Sequence, residues 1–153
     1  MEKNVVKNAG RKMIIINMYL LWGAWQDARE RKVNVVYLRI GEIGGICYRI
    51  ITFYFKSNIL EDWMYAMLPG IFFLITAKLT KEKLGLGDAI VLLILGNVLH
   101  FHEIRFLLLT AMMLTILFSV LLLIGRKADG KYEIPFLPFL WMSHTLMWGL
   151  YYA

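Results

Sequence analysis

The chain has 153 residues, of which 59% are hydrophobic and 18% are charged, and its net charge is +6. A soluble domain contains roughly 45–50% apolar residues, and here the excess lies in long blocks, which indicates a polytopic membrane protein without a sizeable soluble domain. The positive charge fits cytoplasmic loops beside anionic lipid better than nucleic acid. Cys47 is the single cysteine, which excludes an intramolecular disulfide framework and a cysteine-based zinc site.

Residues 1–12 are predicted to form a basic N-terminal tail, and residues 13–153 a single transmembrane domain. The tail contributes four cations, which are Lys3, Lys7, Arg11 and Lys12. A basic tail before an apolar run is also typical of a signal peptide. The run ends in the bulky Trp22 and Trp25 and offers no small-residue cleavage site, so we expect it to be retained as a membrane helix.

Six apolar segments predict an all-α protein with six transmembrane helices, since an open strand in lipid would leave backbone groups unpaired. In chain order the segments are 13–26, 33–55, 63–79, 87–101, 106–125 and 134–153. The first is short against a hydrocarbon core of about 30 Å, and we expect it to continue back through the basic tail. The second is interrupted by Arg39, Glu42 and Arg49, and the third contains Pro69, where we expect a kink.

Loop charge predicts the orientation of this bundle. The loops after the first, third and fifth segments carry nine basic residues, which are Arg29, Arg31, Lys32, Lys78, Lys81, Lys83, Arg126, Lys127 and Lys131. The loops after the second and fourth segments carry only Lys56 and Arg105. The positive-inside rule therefore places the first set in the cytoplasm and both termini outside, although the basic tail opposes this. With six spans, Asp27 and Asp88 lie on the same membrane face.

Asp27 and Asp88 are the candidate functional acids, because a carboxylate at the mouth of a membrane segment is costly and is usually functional. Two neighbouring carboxylates do not both ionise easily, so one can deprotonate water while the other polarises a peptide carbonyl. We expect Asp88, at a helix N-terminus, to be the resting base, and Asp27, at a C-terminus, to be the resting acid. The structural alternative is that Asp88 caps its helix and Asp27 neutralises Arg29 or Arg31.

Three stretches resemble motifs of the type IV prepilin peptidases, a branch of the GxGD intramembrane aspartic proteases. Gly85-Leu86-Gly87-Asp88 is similar to the GxGD signature. Asp27-Ala28-Arg29-Glu30-Arg31-Lys32-Val33-Asn34 resembles the stretch that the family's first catalytic aspartate opens, and Pro135-Phe136-Leu137-Pro138-Phe139 resembles the Pro-Phe-x-Pro-Phe stretch that begins its last helix. Together the three span nearly the whole chain.

The resemblance implies a membrane aspartic endopeptidase in a bacterial or archaeal cell membrane. Its partner would be a pilin-like or other membrane-anchored precursor, whose basic leader it cleaves at the cytoplasmic face. The two glycines would let the backbone approach the substrate, and the Pro-Phe stretch would shape the site wall. By motif, the catalytic residues are Asp27 and Asp88, and the substrate-binding residues are Gly85, Gly87, Pro135, Phe136 and Pro138. No metal or organic cofactor is implied, and the likeness to short, peptidase-only members predicts no methyltransferase activity.

Glu42 is a further candidate for contact with the leader peptide. It follows Arg39 by three residues, so the two side chains can pair on one helix face, and the alternative is a structural ion pair directed into the bundle. His100 and His102 are two residues apart and would point to different sides of a helix, so we expect no metal site there. Cys47 lacks a nearby base and is disfavoured as a nucleophile.

A rival interpretation is a non-enzymatic membrane protein, either a small transporter or an assembly factor, in which the acids bind a proton or cation. It predicts that Asp→Glu retains function at either site and that no precursor is cut. Few polar residues line the fourth and fifth segments, which favours the protease; they are Asn97, Thr110, Thr115 and Ser119. For the protease, Glu30 and Glu82 are candidates for steering the basic leader toward the cytoplasmic face.

Overall fold

The computed structural model describes residues 2–31, 33–55, 60–80, 85–125 and 134–152. Across these ranges the backbone forms six α-helices and no strand, which confirms the predicted all-helical class with six helices. The helices are α1 (Glu2–Glu30), α2 (Val35–Phe55), α3 (Leu60–Leu79), α4 (Leu86–Val98), α5 (Phe101–Ile124) and α6 (Leu137–Tyr152). Several charged residues used above lie outside the described residues, namely Lys32, Lys56, Lys81, Glu82, Lys83, Arg126, Lys127 and Lys131.

The observed helix bounds differ from the apolar segments chiefly at helix starts. α1 begins at Glu2, so the basic tail and the first apolar segment form one continuous helix. α4 ends at Val98, and α5 begins at Phe101. The start of α5 is fixed by Glu103, whose Oε2 accepts the His100 N–H at 2.8 Å, the return half of a capping box. The fourth and fifth helices are therefore joined by a shorter link than the sequence predicted.

One helix, α5, is long and apolar enough to cross a membrane, so the predicted six spans are not confirmed. α4 is apolar but shorter. The other described helices fall short for visible reasons: α6 has 16 residues, and α2 carries charges within its length. From Phe106 to the end of α5 the exposed side chains are apolar, as a lipid-facing surface requires; they include Leu109, Met113, Ile116 and Leu121.

The chain divides into two compact units, Met1–Arg31 with Leu107–Ala153, and Lys32–Phe106. In the first unit α1 packs against α6. Asn17 joins these helices: its side chain accepts the Trp141 indole N–H at 2.8 Å and donates to the Thr145 hydroxyl at 3.2 Å. Ser143 also donates to the backbone oxygen of Leu107 at 2.7 Å. Side-chain hydrogen bonds of this kind hold helices together where burial in lipid provides little driving force.

In the second unit α4 is the central helix, and both α2 and α3 pack against it. α3 approaches α4 through glycines. A Cβ on Gly70 would lie 2.8 Å from the Leu93 backbone nitrogen, and one on Gly96 would lie 2.8 Å from the Ala66 backbone oxygen. Backbones can come this close only where a side chain is missing on one of them. Replacing Gly70 or Gly96 with a larger residue would therefore push α3 and α4 apart.

α2 is tied to α4 by Arg49, a buried cation. Its Nη2 donates to the Gly96 backbone oxygen at 3.1 Å, and its guanidinium lies 5.9 Å from the centre of the Trp63 ring. Trp63 in turn donates its indole N–H to the Asn97 side chain at 3.2 Å. Of the three charged residues that interrupt the second apolar segment, Arg49 therefore faces the neighbouring helix.

Candidate active site

Asp27 lies in the last turn of α1, just beyond the apolar segment 13–26. Its side chain is buried, and Oδ2 accepts the backbone N–H of Leu137 at 3.0 Å. The backbone N–H of Phe136 is a second donor to this carboxyl. Burial raises the pKa of Asp27 above its ordinary value of 3.8, and the two hydrogen bonds oppose this rise without cancelling it. The arrangement favours the protonated form at a higher pH than an exposed aspartate would allow.

The Pro-Phe stretch therefore meets the first candidate acid, although they are 110 residues apart in the chain. Phe136 caps the start of α6, since its backbone oxygen accepts the N–H groups of Phe139 and Leu140, both at 3.1 Å. Asp27 caps the same helix end from α1. The structural alternative, in which Asp27 neutralises Arg29 or Arg31, gives way to a different contact: both arginines are exposed, and the carboxyl bonds to the α6 backbone.

Asp88 lies in the first turn of α4 and is half-buried. Gly85 is the N-cap of this helix, and its oxygen accepts the N–H of Asp88 at 3.1 Å. Asp88 is therefore not itself the N-cap, which the structural alternative had supposed. Its place in the first turn puts the carboxyl near the positive end of the helix dipole, where an anion is favoured.

The two glycines of the GxGD-like tetrad make room for neighbours. A Cβ on Gly85 would lie 2.8 Å from Asp88 Oδ2, and a Cβ on Gly87 would lie 3.0 Å from Val33 Cγ2. Gly85 has φ −56°, a value open to any residue, so it is not needed for an unusual backbone conformation. Its function in the fold is to leave space beside the Asp88 carboxyl.

The stretch that follows Asp27 also has definite structural roles. Arg31 ends α1 with φ 52°, a left-handed conformation common after a helix. Val33 contacts Gly87, and Asn34 caps α2 by accepting the Val36 N–H at 2.9 Å. The residues between Asp27 and α2 therefore stop one helix, contact the tetrad and start the next helix.

Each unit brings together part of the predicted site. The first unit joins Asp27 to the Pro-Phe stretch, and the second joins Asp88 and its two glycines to Val33; the two acids belong to different units. Glu42 pairs with Arg39 at 3.7 Å, which confirms that they share a helix face. The expectation that this pair points into the bundle is wrong, because the Arg39 and Glu42 side chains are 74% and 40% exposed.

A second polar cluster, centred on Asp62 in α3, was not anticipated. Its Oδ1 accepts the Phe101 N–H at 3.0 Å, and its Oδ2 lies 2.7 Å from His100 Nδ1. Burial alone would raise the pKa of Asp62, but the bonds from His100 and Phe101 outweigh it, so the pKa falls below 3.8. The rings of His100 and His102 stack, and no three ligands for a metal converge in the described part of the chain.

The residue types could not predict the Asp27–Leu137 and Asp62–Phe101 hydrogen bonds, because in both the donor is a backbone N–H. Asn17 and Trp141 were likewise missed, although an asparagine in an apolar segment is a usable sign of a polar contact between helices.

Comparison with known proteins identifies one family. The sequence model of the type IV leader peptidase family matches residues 14–124. No curated protein and no solved structure shows a significant match to the chain. The matched range contains Asp27, Asp88 and both glycines of the tetrad, and it ends before the Pro-Phe stretch.

Proposed function

The chain belongs to the type IV leader peptidase family, a family of membrane-associated proteases, and from that premise we propose that it is an aspartic endopeptidase that uses Asp27 and Asp88. The family implies a membrane-anchored, prepilin-like substrate. The finer proposal is that the chain removes a basic leader at the cytoplasmic membrane face. The orientation inferred from loop charge, with both termini outside, supports that side.

The observation that carries the proposal is the contrasting environments of the two acids. Asp27 is buried, with a raised pKa, and is held by backbone donors, whereas Asp88 is half-buried in the first turn of a helix. Peptide hydrolysis by two carboxyls needs one to carry the proton and the other to be ionised. We assign Asp27 as the resting acid and Asp88 as the resting base.

In the proposed reaction, Asp88 takes a proton from a water molecule, which attacks the carbonyl carbon of the scissile bond. Asp27 donates its proton to the carbonyl oxygen, which forms a tetrahedral intermediate with two hydroxyl groups. Asp88 then gives the proton it took from water to the amide nitrogen as the C–N bond breaks, and one hydroxyl proton returns to Asp27, so that the leader leaves with a new carboxyl end and the product with a new N-terminus. The N–H groups of Phe136 and Leu137 stabilise the Asp27 carboxylate that its proton donation leaves. Gly85, Gly87, Pro135, Phe136 and Pro138 are proposed to surround the substrate backbone, within a single peptidase domain that covers residues 13–153.

The test is a cleavage assay with purified full-length protein and a pilin-like precursor encoded near it, with products identified by mass spectrometry. Asp27→Asn and Asp88→Asn should each lower the rate by about 10²–10⁴-fold, the usual contribution of an acid or base. Asp62→Asn is the matched control, because Asp62 also caps another helix through a backbone N–H and has no proposed part in the chemistry. Its rate should stay near that of wild type.

Equal cleavage by wild type and both active-site variants would refute the aspartic mechanism. Asp→Glu variants distinguish the rival, since a proton or cation carrier tolerates them at either position, whereas a protease does not tolerate displaced carboxyls. Glu42→Gln tests the minor proposal that Glu42 contacts the basic leader: KM should rise with little change in kcat, and unchanged kinetics would remove Glu42 from the site.

A further inference from the structure

Every backbone N–H at the start of α6 has an identifiable hydrogen-bond acceptor. A helix begins with four N–H groups that find no acceptor within the helix itself. Here Phe136 and Leu137 donate to Asp27, and Phe139 donates to the Phe136 oxygen. The remaining position is Pro138, which has no N–H. Two donors therefore converge on one buried carboxyl, and a third is absent because of the residue type.

We propose that the Pro-Phe stretch is the positioning element of Asp27, with Phe136 and Leu137 holding its carboxyl by two backbone N–H groups and Pro138 withholding a third. The inference deepens the proposed function and rests on it for its catalytic meaning. It gives the stretch a task on the enzyme's own acid, separate from any contact with substrate.

The number of donors matters because hydrogen bonds to a carboxylate stabilise its charged form, and two or three of them can lower a pKa strongly. With two donors, burial still prevails and the pKa of Asp27 stays above 3.8. A third donor at the same carboxyl would move the balance toward the anion. A resting acid must keep its proton, so a proline after the two donors suits the assigned task.

The causes that set the pKa of Asp27 are burial and the two backbone bonds, and no charged side chain in the described parts of α1 and α6 is among them. On α1 the neighbouring Arg29, Glu30 and Arg31 are all exposed. On α6, residues 137–150 contain one ionisable side chain, His144, which lies two helical turns beyond the capped end. Within the described part of these two helices, burial and the α6 backbone therefore control the proton on Asp27.

The test is to restore the missing donor with Pro138→Ala in the full-length protein in detergent. The protonated carboxyl band of Asp27 is followed by infrared spectroscopy as pH rises, and Asp27→Asn identifies the band. The additional N–H should lower the midpoint of the titration by about one pH unit. Pro69→Ala is the matched control, since it restores an N–H inside α3 of the other unit, and its midpoint should equal that of wild type. An unchanged midpoint in folded Pro138→Ala protein overturns the inference.

A second measurement does not depend on how Pro138→Ala folds. Hydrogen exchange of the Phe136 and Leu137 amides is compared between wild type, Asp27→Asn and Asp27→Ala. Asp27→Ala should lose protection at these two amides, whereas Asp27→Asn, which keeps one acceptor oxygen, should lose less. Equal protection in all three proteins would show that Asp27 does not hold this helix end.

The two proposals fail separately, because neither spectroscopic readout requires cleavage. If no precursor is cut yet the midpoint shifts, the peptidase proposal falls and the positioning of Asp27 stands as a structural fact. If cleavage requires Asp27 but the midpoint does not move, the peptidase stands and the positioning role of Pro138 is wrong. When both hold, the alkaline limb of the cleavage rate should shift toward lower pH in Pro138→Ala.

Discussion

Asp27 and Asp62 each cap a helix other than their own, one in each compact unit. Asp27 in α1 accepts the N–H of Leu137 at the start of α6, and Asp62 in α3 accepts the N–H of Phe101 at the start of α5. Asp62 also bonds to His100, and its pKa is lowered, whereas burial dominates around Asp27 and raises its pKa. The same capping geometry therefore gives opposite pKa shifts: His100, which can carry positive charge, favours the anion at Asp62, whereas burial favours the protonated acid at Asp27.

Asp88 is the third aspartate in this comparison, and its surroundings differ from both. The space beside its carboxyl comes from Gly85, where a Cβ would lie 2.8 Å from Asp88 Oδ2. A base that must reach a water molecule needs such room. A side chain at position 85 would fill this space and so test the comparison.

Of the variants that leave both Asp27 and Asp88 in place, Gly85→Ala should cause the largest loss of activity. Its Cβ would lie 2.8 Å from Asp88 Oδ2, so the carboxyl must rotate away while the helix stays folded. A displacement near 1 Å can cost about 10²-fold in rate, so we expect kcat for precursor cleavage to fall about 10–100-fold with KM nearly unchanged. Gly44→Ala is the matched control, because a Cβ there meets nothing within 4 Å. A Gly85→Ala protein that cleaves at the wild-type rate would show that the position of this carboxyl is not critical.

The pH dependence of stability should separate Asp27 from Asp62. The raised pKa of Asp27 means that its contribution is fully present below 3.8 and is lost as pH rises through the higher folded value. The lowered pKa of Asp62 means that its contribution is present above 3.8 and is lost as pH falls through the lower folded value. Relative to wild type, Asp27→Asn should therefore gain stability with rising pH, and Asp62→Asn should lose it.

Between pH 3 and pH 8 the free energy of unfolding of Asp27→Asn should therefore rise relative to that of wild type, because wild type loses the contribution of its protonated Asp27 over this range. The change for Asp62→Asn should be smaller and opposite, because its side chain is 33% exposed and solvent screens the interaction. Unfolding in detergent between pH 3 and pH 8 measures both. Parallel curves for the two variants would refute the distinction between them.

The sequence predicted the helices well because each apolar block is long enough to indicate a helix without help from distant residues. The prediction failed where a boundary depends on a distant residue. The start of α5 depends partly on such a residue, because the Asp62 carboxyl in α3 accepts the Phe101 N–H, although Glu103 also caps this helix from within α5. The polar start of α1 was missed for another reason: residues 2–12 lack an apolar pattern, yet they continue the helix that follows.

In the candidate site, too, the sequence predicted what depends on nearby residues and missed what depends on distant ones. Residue types and motif spacing sufficed to select Asp27 and Asp88 and to recognise the family. They assigned the proton to Asp27 from the dipole of α1, whereas in the structure burial raises the pKa of Asp27 and the backbone of α6 opposes the rise. That contact joins residues 110 positions apart and uses a backbone N–H that every residue except proline carries. In the sequence, only Pro135 and Pro138 indicated an unusual backbone at this helix start.

The smallest effect that tests the comparison is expected at His100, whose Nδ1 lies 2.7 Å from Asp62 Oδ2. His100→Gln keeps a hydrogen-bond donor but cannot become charged, so the pKa of Asp62 should return toward 3.8. Above pH 4 the variant should be less stable than wild type by a few tenths of a kcal/mol to about 1 kcal/mol, the range for exposed ion pairs.

Below the folded pKa of Asp62 this difference should vanish, because the aspartate is then protonated in both proteins. His102→Gln is the graded control, since His102 also lowers the pKa of Asp62 through its charge but less than His100 does, and its effect should be correspondingly smaller. Unfolding at pH 3 and at pH 5 gives both differences. A His100→Gln difference of equal size at the two pH values would mean that the histidine supports this helix junction by packing alone. The contrast with Asp27 would then rest on burial, and the absence of a cation beside Asp27 would have no part in keeping its proton.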